Sequence, residues 1–182
     1  MSHPTRNRRI DRILAPDFLL GLAERPIEDV RAMRADAEQE EIDLSYLRRQ
    51  LQGRVDILRA ETARRAGDGT SGSLVDALPE ILADDRAPAH GLGRHSALEP
   101  SEIDEHRRYV EALVSDSDMS DPAALDADTL ARLLDVLNRE EADVSRRRRS
   151  VQAVMDALTA EIGRRYKDGV VDVADLLHSE SE

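Results

Sequence analysis

Hydrophobic positions recur at helical spacing along two long stretches of the chain. In the first, Leu44, Leu47, Leu51, Val55 and Leu58 share one face, and in the second Val144, Val151, Met155, Leu158 and Ile162 do the same. The first pattern runs without a breaker from Pro26, which suits a first helical position, through Glu28 and Asp29 in a first turn where the helix dipole favours acids, to Gly67. The second starts near Asp126 or Asp128, either of which can cap a helix, and runs to about Tyr166, where Asp168-Gly169 closes it. Each stretch predicts a helix of about forty residues, roughly 60 Å long. An isolated helix cannot bury such an apolar stripe, so the two are expected to pair, and antiparallel pairing is the commoner outcome for long helices in one chain. The expected fold is all-α: a long antiparallel two-helix coiled-coil hairpin with shorter N-terminal and connecting helices.

Five regions follow from the same pattern. Residues 1–25 form an N-terminal arm and a short apolar segment, 26–67 the first long helix, 68–125 a connection with short helices, 126–168 the second long helix, and 169–182 a C-terminal tail. In the apolar segment, Ile10, Ile13, Leu14, Phe18, Leu19, Leu20 and Leu22 are interrupted at Ala15-Pro16; it either packs back on the helices or docks on a partner. Within the connection, Ser73 to Leu82 reads as a short helix kinked near Pro79, 84–100 as linker, Ser101 to Val114 as a helix with a capping-box-like start, and 115–122 as a loop.

Polar positions carry a second pattern. The spacing E-x3-S-x2-R-x3-Q-x3-D occurs as Glu41, Ser45, Arg48, Gln52 and Asp56, and returns without insertion as Glu141, Ser145, Arg148, Gln152 and Asp156. At ~100° per residue these side chains fall within one narrow face, about a quarter turn from the apolar one. From 40–69 against 140–169, fifteen of thirty positions are identical, so the duplication extends past the motif to the helix ends. Gly53 and its counterpart Ala153 are small residues one position beyond the glutamines, read either as a place of close approach or as tolerated surface positions.

Composition narrows the function classes. The 182 residues include no Cys, which excludes disulfides, thiolate nucleophiles and Cys-bound metal. No apolar run approaches the ~20 residues of a membrane span, and the N-terminus lacks a signal-type apolar region, so a cytoplasmic protein is expected. The net charge of -12 disfavours direct DNA binding and favours basic protein partners. Gly67 to Gly72 lacks the Lys-Ser/Thr of a phosphate-binding loop, and the acidic stretch from Asp116 places Asp121 and Ala127 where a calcium-binding loop needs Gly and Glu. His3, His90, His95, His106 and His178 are scattered, and no catalytic motif is present, so neither an enzyme nor a metal site is expected.

The residue types of the stripe suit a nucleotide. A carboxylate accepts two parallel hydrogen bonds from the N1–H and N2–H edge of guanine, and Arg offers its fork to guanine O6 and N7 or to phosphate. A ligand of phosphates alone would not call for four carboxylates. Phe18, Tyr46, Tyr109 and Tyr166 are the only aromatic residues, and only Tyr46 lies within a motif copy, so bases would stack on Arg planes or on one another. Two antiparallel helices bearing the same stripe further suggest a ligand with matching twofold symmetry, with each copy supplying one side of a cleft.

The twice-used motif resembles the signature of the RsiG family of actinobacterial anti-sigma factors, with all ten positions matched at the right spacing. The resemblance implies that a single chain holds a dimer of cyclic di-GMP between two motif helices and, so loaded, captures a WhiG-like sporulation sigma factor of the flagellar type. By position it implies that Arg48, Arg148, Asp56 and Asp156 read guanine edges or phosphates, while Glu41, Glu141, Ser45, Ser145, Gln52 and Gln152 complete or orient those contacts. Arg49, Arg149 and the run Arg146 to Arg149 would offset ligand charge. The competing readings are a solvated helix face laced with i, i+4 pairs, and a nucleotide-independent coiled-coil adaptor for a basic protein.

Overall fold

The computed structural model describes residues 9–67, 109, 112 and 121–169. The remainder of the N-terminal arm, nearly all of the connection and the C-terminal tail lie outside the described residues, and with them the short helices expected near Pro79 and from Ser101. The described chain is all-α: α1 (Arg9–Ile13), α2 (Ile27–Ala66) and α3 (Ala127–Lys167), with single 3-10 turns at Leu22–Glu24 and Pro122–Ala124 leading into the two long helices.

Local chemistry accounts for the helix ends. Asp126 caps α3, its Oδ1 accepting the Thr129 backbone N–H at 2.7 Å. That bond, then the one from the Thr129 hydroxyl, holds the Asp126 carboxyl below its usual range. At the start of α2 the helix opens at Ile27, one residue later than expected; Pro26 stands at the cap and its carbonyl accepts the Val30 N–H at 3.3 Å. At their far ends, Gly67 (φ 81°) and Gly169 (φ 69°) adopt the left-handed conformation that a side chain rarely tolerates.

Contacts divide the chain into two compact units, one of Met1–Ile42 with Arg147–Glu182 and one of Asp43–Arg146, and both long helices contribute to each. In the first unit the helices run antiparallel: Arg34 Nε donates to Thr159 Oγ1 at 3.1 Å, and Arg31, farther back along α2, meets the Tyr166 hydroxyl farther on along α3. Val30, Met33, Ala37, Val151 and Leu158 are buried there. Residues 9–25 also pack back on this unit, through buried Ile13 and through ion pairs from Arg12 to Asp36 at 2.6 Å and from Arg9 to Glu40 at 3.5 Å. The Arg12–Asp36 pair is exposed and contributes little to that attachment.

The second unit repeats the antiparallel arrangement. Gln52 reaches Glu141, and Arg59, farther along α2, donates to Asn138 at 2.9 Å. Its core is Leu44, Leu47, Leu51, Val55 and Leu58 against Leu130, Leu137 and Val144.

Along each helix one set of buried apolar positions keeps a seven-residue period. On α2 it comprises Val30, Ala37, Leu44, Leu51 and Leu58; on α3 Leu130, Leu137, Val144, Val151 and Leu158. That is the spacing of a coiled-coil seam, and every member has its counterpart one hundred residues away. Met155 and Ile162, expected in the core, are half-buried, because both lie four residues beyond a seam position and so flank the seam. Each buried Leu or Val of the seam contributes about 1.5–3 kcal/mol, whereas the helices have little intrinsic reason to persist alone. Gly53 is half-buried and Ala153 exposed.

Candidate ligand site

Motif residues sit beside the seam, where a side chain can reach the opposing helix. Nine of the ten are half-buried and Asp156 is exposed. The motif Glu precedes Arg by seven residues and Gln by eleven, so on helices of opposite direction the Glu of one copy falls opposite the Arg and Gln of the other.

In the first unit Glu41 accepts the Gln152 Nε2–H at 3.1 Å and faces Arg148 Nε at 3.6 Å. In the second, Glu141 accepts from Gln52 Nε2 at 3.3 Å and from the Ser145 hydroxyl at 2.9 Å, and faces Arg48 Nη1 at 3.8 Å. Each cluster therefore mixes the two copies: the Glu comes from one helix and the Arg and Gln from the other. Each copy thus supplies one side of each cluster, and the antiparallel geometry is the reason.

Both Arg–Glu contacts are longer than a direct hydrogen bond, so the guanidinium groups stay near the carboxylates without being committed to them. Within the second unit two buried atoms have no hydrogen-bond partner among the described residues, Arg48 Nε and Gln52 Oε1. One is a donor and the other an acceptor. Leaving such atoms unsatisfied costs about 1–3 kcal/mol each, a cost that a ligand offering both an acceptor and a donor would remove.

Asp56 pairs with Arg59 Nη1 at 3.6 Å on its own helix. Asp156 makes no hydrogen bond or ion pair among the described residues. Ser45 is half-buried, and its backbone carbonyl accepts the Arg49 Nε–H at 3.4 Å. Arg149 and Arg147 are exposed, and Arg146 is paired with Asp143.

A second repeated group lies beyond the motif, at Glu61-x2-Arg64-Arg65 and Glu161-x2-Arg164-Arg165. Glu61 accepts from Arg64 Nε at 2.7 Å and from Arg65 Nε at 2.6 Å, and Arg65 Nη2 donates to the Pro122 and Ala123 carbonyls at 3.1 and 3.2 Å. Glu161 holds Arg164 and Arg165 in the same way, and Arg165 donates to the carbonyls of Leu22 at 2.6 Å and Arg25 at 2.7 Å. In each unit this clamp ties the end of one long helix to the 3-10 turn that starts the other, fixing their register and with it the placement of the stripe. The signal was present in the fifteen shared positions, but nothing in a sequence says that an Arg will find carbonyls so distant along the chain.

The clamps shift their carboxyls strongly. Glu61 is lowered from 4.5 to about 2, first by the hydrogen bond from Arg64 and then, against the opposing effect of burial, by that from Arg65. Glu161 is lowered from 4.5 to about 2 by Arg164 first and Arg165 second, and Arg164 is raised in return.

Among the described residues no group of three or more His, Asp or Glu side chains could hold a metal ion, and no helix is long and apolar enough to cross a membrane. What the motif clusters offer is hydrogen bonding: an acidic acceptor, a planar cation and an amide, set side by side twice. Comparison with curated proteins gives no match. A family model described as RsiG-like, however, matches residues 16–82 and 116–180, well over half of the chain and spanning both motif helices. With that coverage the chain belongs to the RsiG-like family, which supports a general role as an anti-sigma factor, a regulator whose partner is a sigma factor.

Proposed function

We propose that this protein is an anti-sigma factor controlled by cyclic di-GMP, which it binds as a dimer through Glu41, Ser45, Arg48, Gln52 and Asp56 together with Glu141, Ser145, Arg148, Gln152 and Asp156. Loaded with the dinucleotide, it sequesters a WhiG-like sigma factor of the flagellar and sporulation type and so represses transcription. The observation that carries the reading is the pair of Glu–Arg–Gln clusters, each assembled from both motif copies. Their donors and acceptors suit guanine: a carboxylate for the N1–H and N2–H edge, a guanidinium for O6 and N7 or for phosphate. Arg48 Nε and Gln52 Oε1, a buried donor and a buried acceptor without partners among the described residues, add support. The charge of -12 favours encounter with the basic surface of a DNA-binding protein over binding to DNA itself.

Calorimetry tests the ligand, and pull-down tests the partner. Cyclic di-GMP is expected to release heat with the chain alone or with the sigma factor present, and sigma is expected to be captured only when the nucleotide is supplied. Arg48→Ala and Asp156→Ala should abolish that capture while leaving helicity, read by circular dichroism, intact. Run-off transcription from a promoter of that sigma should fall at saturating nucleotide. Capture of sigma independent of nucleotide would instead support a coiled-coil adaptor, and normal ligand-dependent capture by both variants would remove the stripe from the site.

A further inference from the structure

We infer that the N-terminal segment Ile10–Arg25 is a docking surface for a basic, amphipathic segment of the captured sigma factor, distinct from the nucleotide-binding stripe; this rests on the anti-sigma reading above. The segment is fixed in place. Ile13 is buried, Arg12 and Arg9 pair with Asp36 and Glu40, and Arg165 binds the carbonyls of Leu22, Ala23 and Arg25.

Having packed back, the segment still leaves large apolar side chains in solvent. Leu20 is 67% exposed and Leu14 37%, two of only four large hydrophobics exposed among the described residues. Consecutive tight turns, Ala15 N–H to Arg12 O, Phe18 N–H to Ala15 O and Leu20 N–H to Asp17 O, hold the stretch between them compact. Half-buried Phe18 and Leu19 extend the apolar material there. Two exposed leucines within one short, anchored segment give a partner an apolar foothold.

Charge selects the occupant. Asp11, Asp17, Glu24, Glu28 and Asp29 are all exposed in or next to the segment, while of its basic side chains Arg12 is paired with Asp36 and Arg25 is turned to the Leu20 carbonyl and the Met33 sulfur. Exposed carboxylates in and next to a segment with exposed apolar side chains fit a cationic amphipathic helix. The same carboxylates oppose a second copy of this chain, which would bring like charges together, and an anionic lipid surface.

The test compares the intact protein with Leu14→Ser/Leu20→Ser and with Asp17→Lys/Glu24→Lys. Neither pair touches the motif, and the charge variant leaves the apolar contacts with the fold unaltered. Both should keep wild-type helicity and wild-type calorimetric binding of cyclic di-GMP, while sigma capture at saturating nucleotide weakens roughly tenfold or more. The charge variant should also flatten the decline of capture with salt. Capture of sigma by both variants at wild-type affinity would overturn the inference, as would a change in sedimentation or vesicle binding without a change in capture. If the unaltered protein captures no sigma, the anti-sigma reading itself fails and this inference with it.

Discussion

The two compact units carry the same devices on different surroundings. Each has a motif cluster in which a Glu from one copy meets Arg and Gln from the other, and each has a clamp in which an Arg near the end of a long helix binds the carbonyls of a 3-10 turn. They differ in how deeply these are set. In the first unit the Arg165 side chain is 7% exposed and binds carbonyls of three residues, whereas Arg65 in the second is 28% exposed and binds two. Conversely Glu61 is fully buried and Glu161 retains 12% exposure. Duplicated residues thus fix which bonds form, and the unduplicated neighbours around each 3-10 turn fix how much water reaches them. The same contrast appears in the clusters: among the described residues, only in the second unit are a motif donor and acceptor left buried and unpaired.

Truncating the seam tests whether the two units are equally packed. Leu51→Ala in the second unit and Leu158→Ala in the first should each cost about 2–5 kcal/mol in urea unfolding. A cost confined to one of them would mean that the other core has collapsed around the gap. The clamps should separate the units more clearly. Arg165→Ala strips a buried cation from Glu161 and from three carbonyls and is expected to cost about 3 kcal/mol, while Arg65→Ala, more exposed, costs about 1.5 kcal/mol. Equal losses would show that exposure does not govern the difference.

Acid titration sharpens the same point with a smaller effect. Because the folded-state values of Glu61 and Glu161 are lowered from 4.5 to about 2, the stability they contribute is complete above 4.5 and is lost as pH falls through about 2. The urea midpoint should therefore decline across that window, and Glu61→Gln with Glu161→Gln should make the decline shallower. An unchanged profile would remove the clamps as its source. Smallest of all, Gln152→Ala should alter stability by less than about 0.5 kcal/mol in the same assay, and Gln52→Ala, which also removes the buried, unpaired Oε1, should lose no more than that. Their bonds to Glu141 and Glu41, at 3.3 and 3.1 Å, are partly exposed; a large loss in either would assign these side chains to holding the fold.

The sequence by itself determined the fold class and the faces. An apolar face at helical spacing on each of two stretches one hundred residues apart is expected to be buried by pairing those stretches, and the five apolar residues assigned to the first copy are all buried. It also determined which polar residues share a stripe, since the rotation per residue of a helix is fixed by its backbone hydrogen bonds. Tertiary structure decided the rest. That Glu41 meets Gln152 and Arg148, and Glu141 meets Gln52 and Arg48, follows from antiparallel register, which the apolar period permits but does not select. That Arg65 and Arg165 end on the carbonyls of turns more than fifty residues away, and that Leu20 stays in water while Ile13 is buried, depends on contacts between segments remote in the chain. Periodicity along a helix is a local property of the backbone; the partner opposite each position is a property of packing.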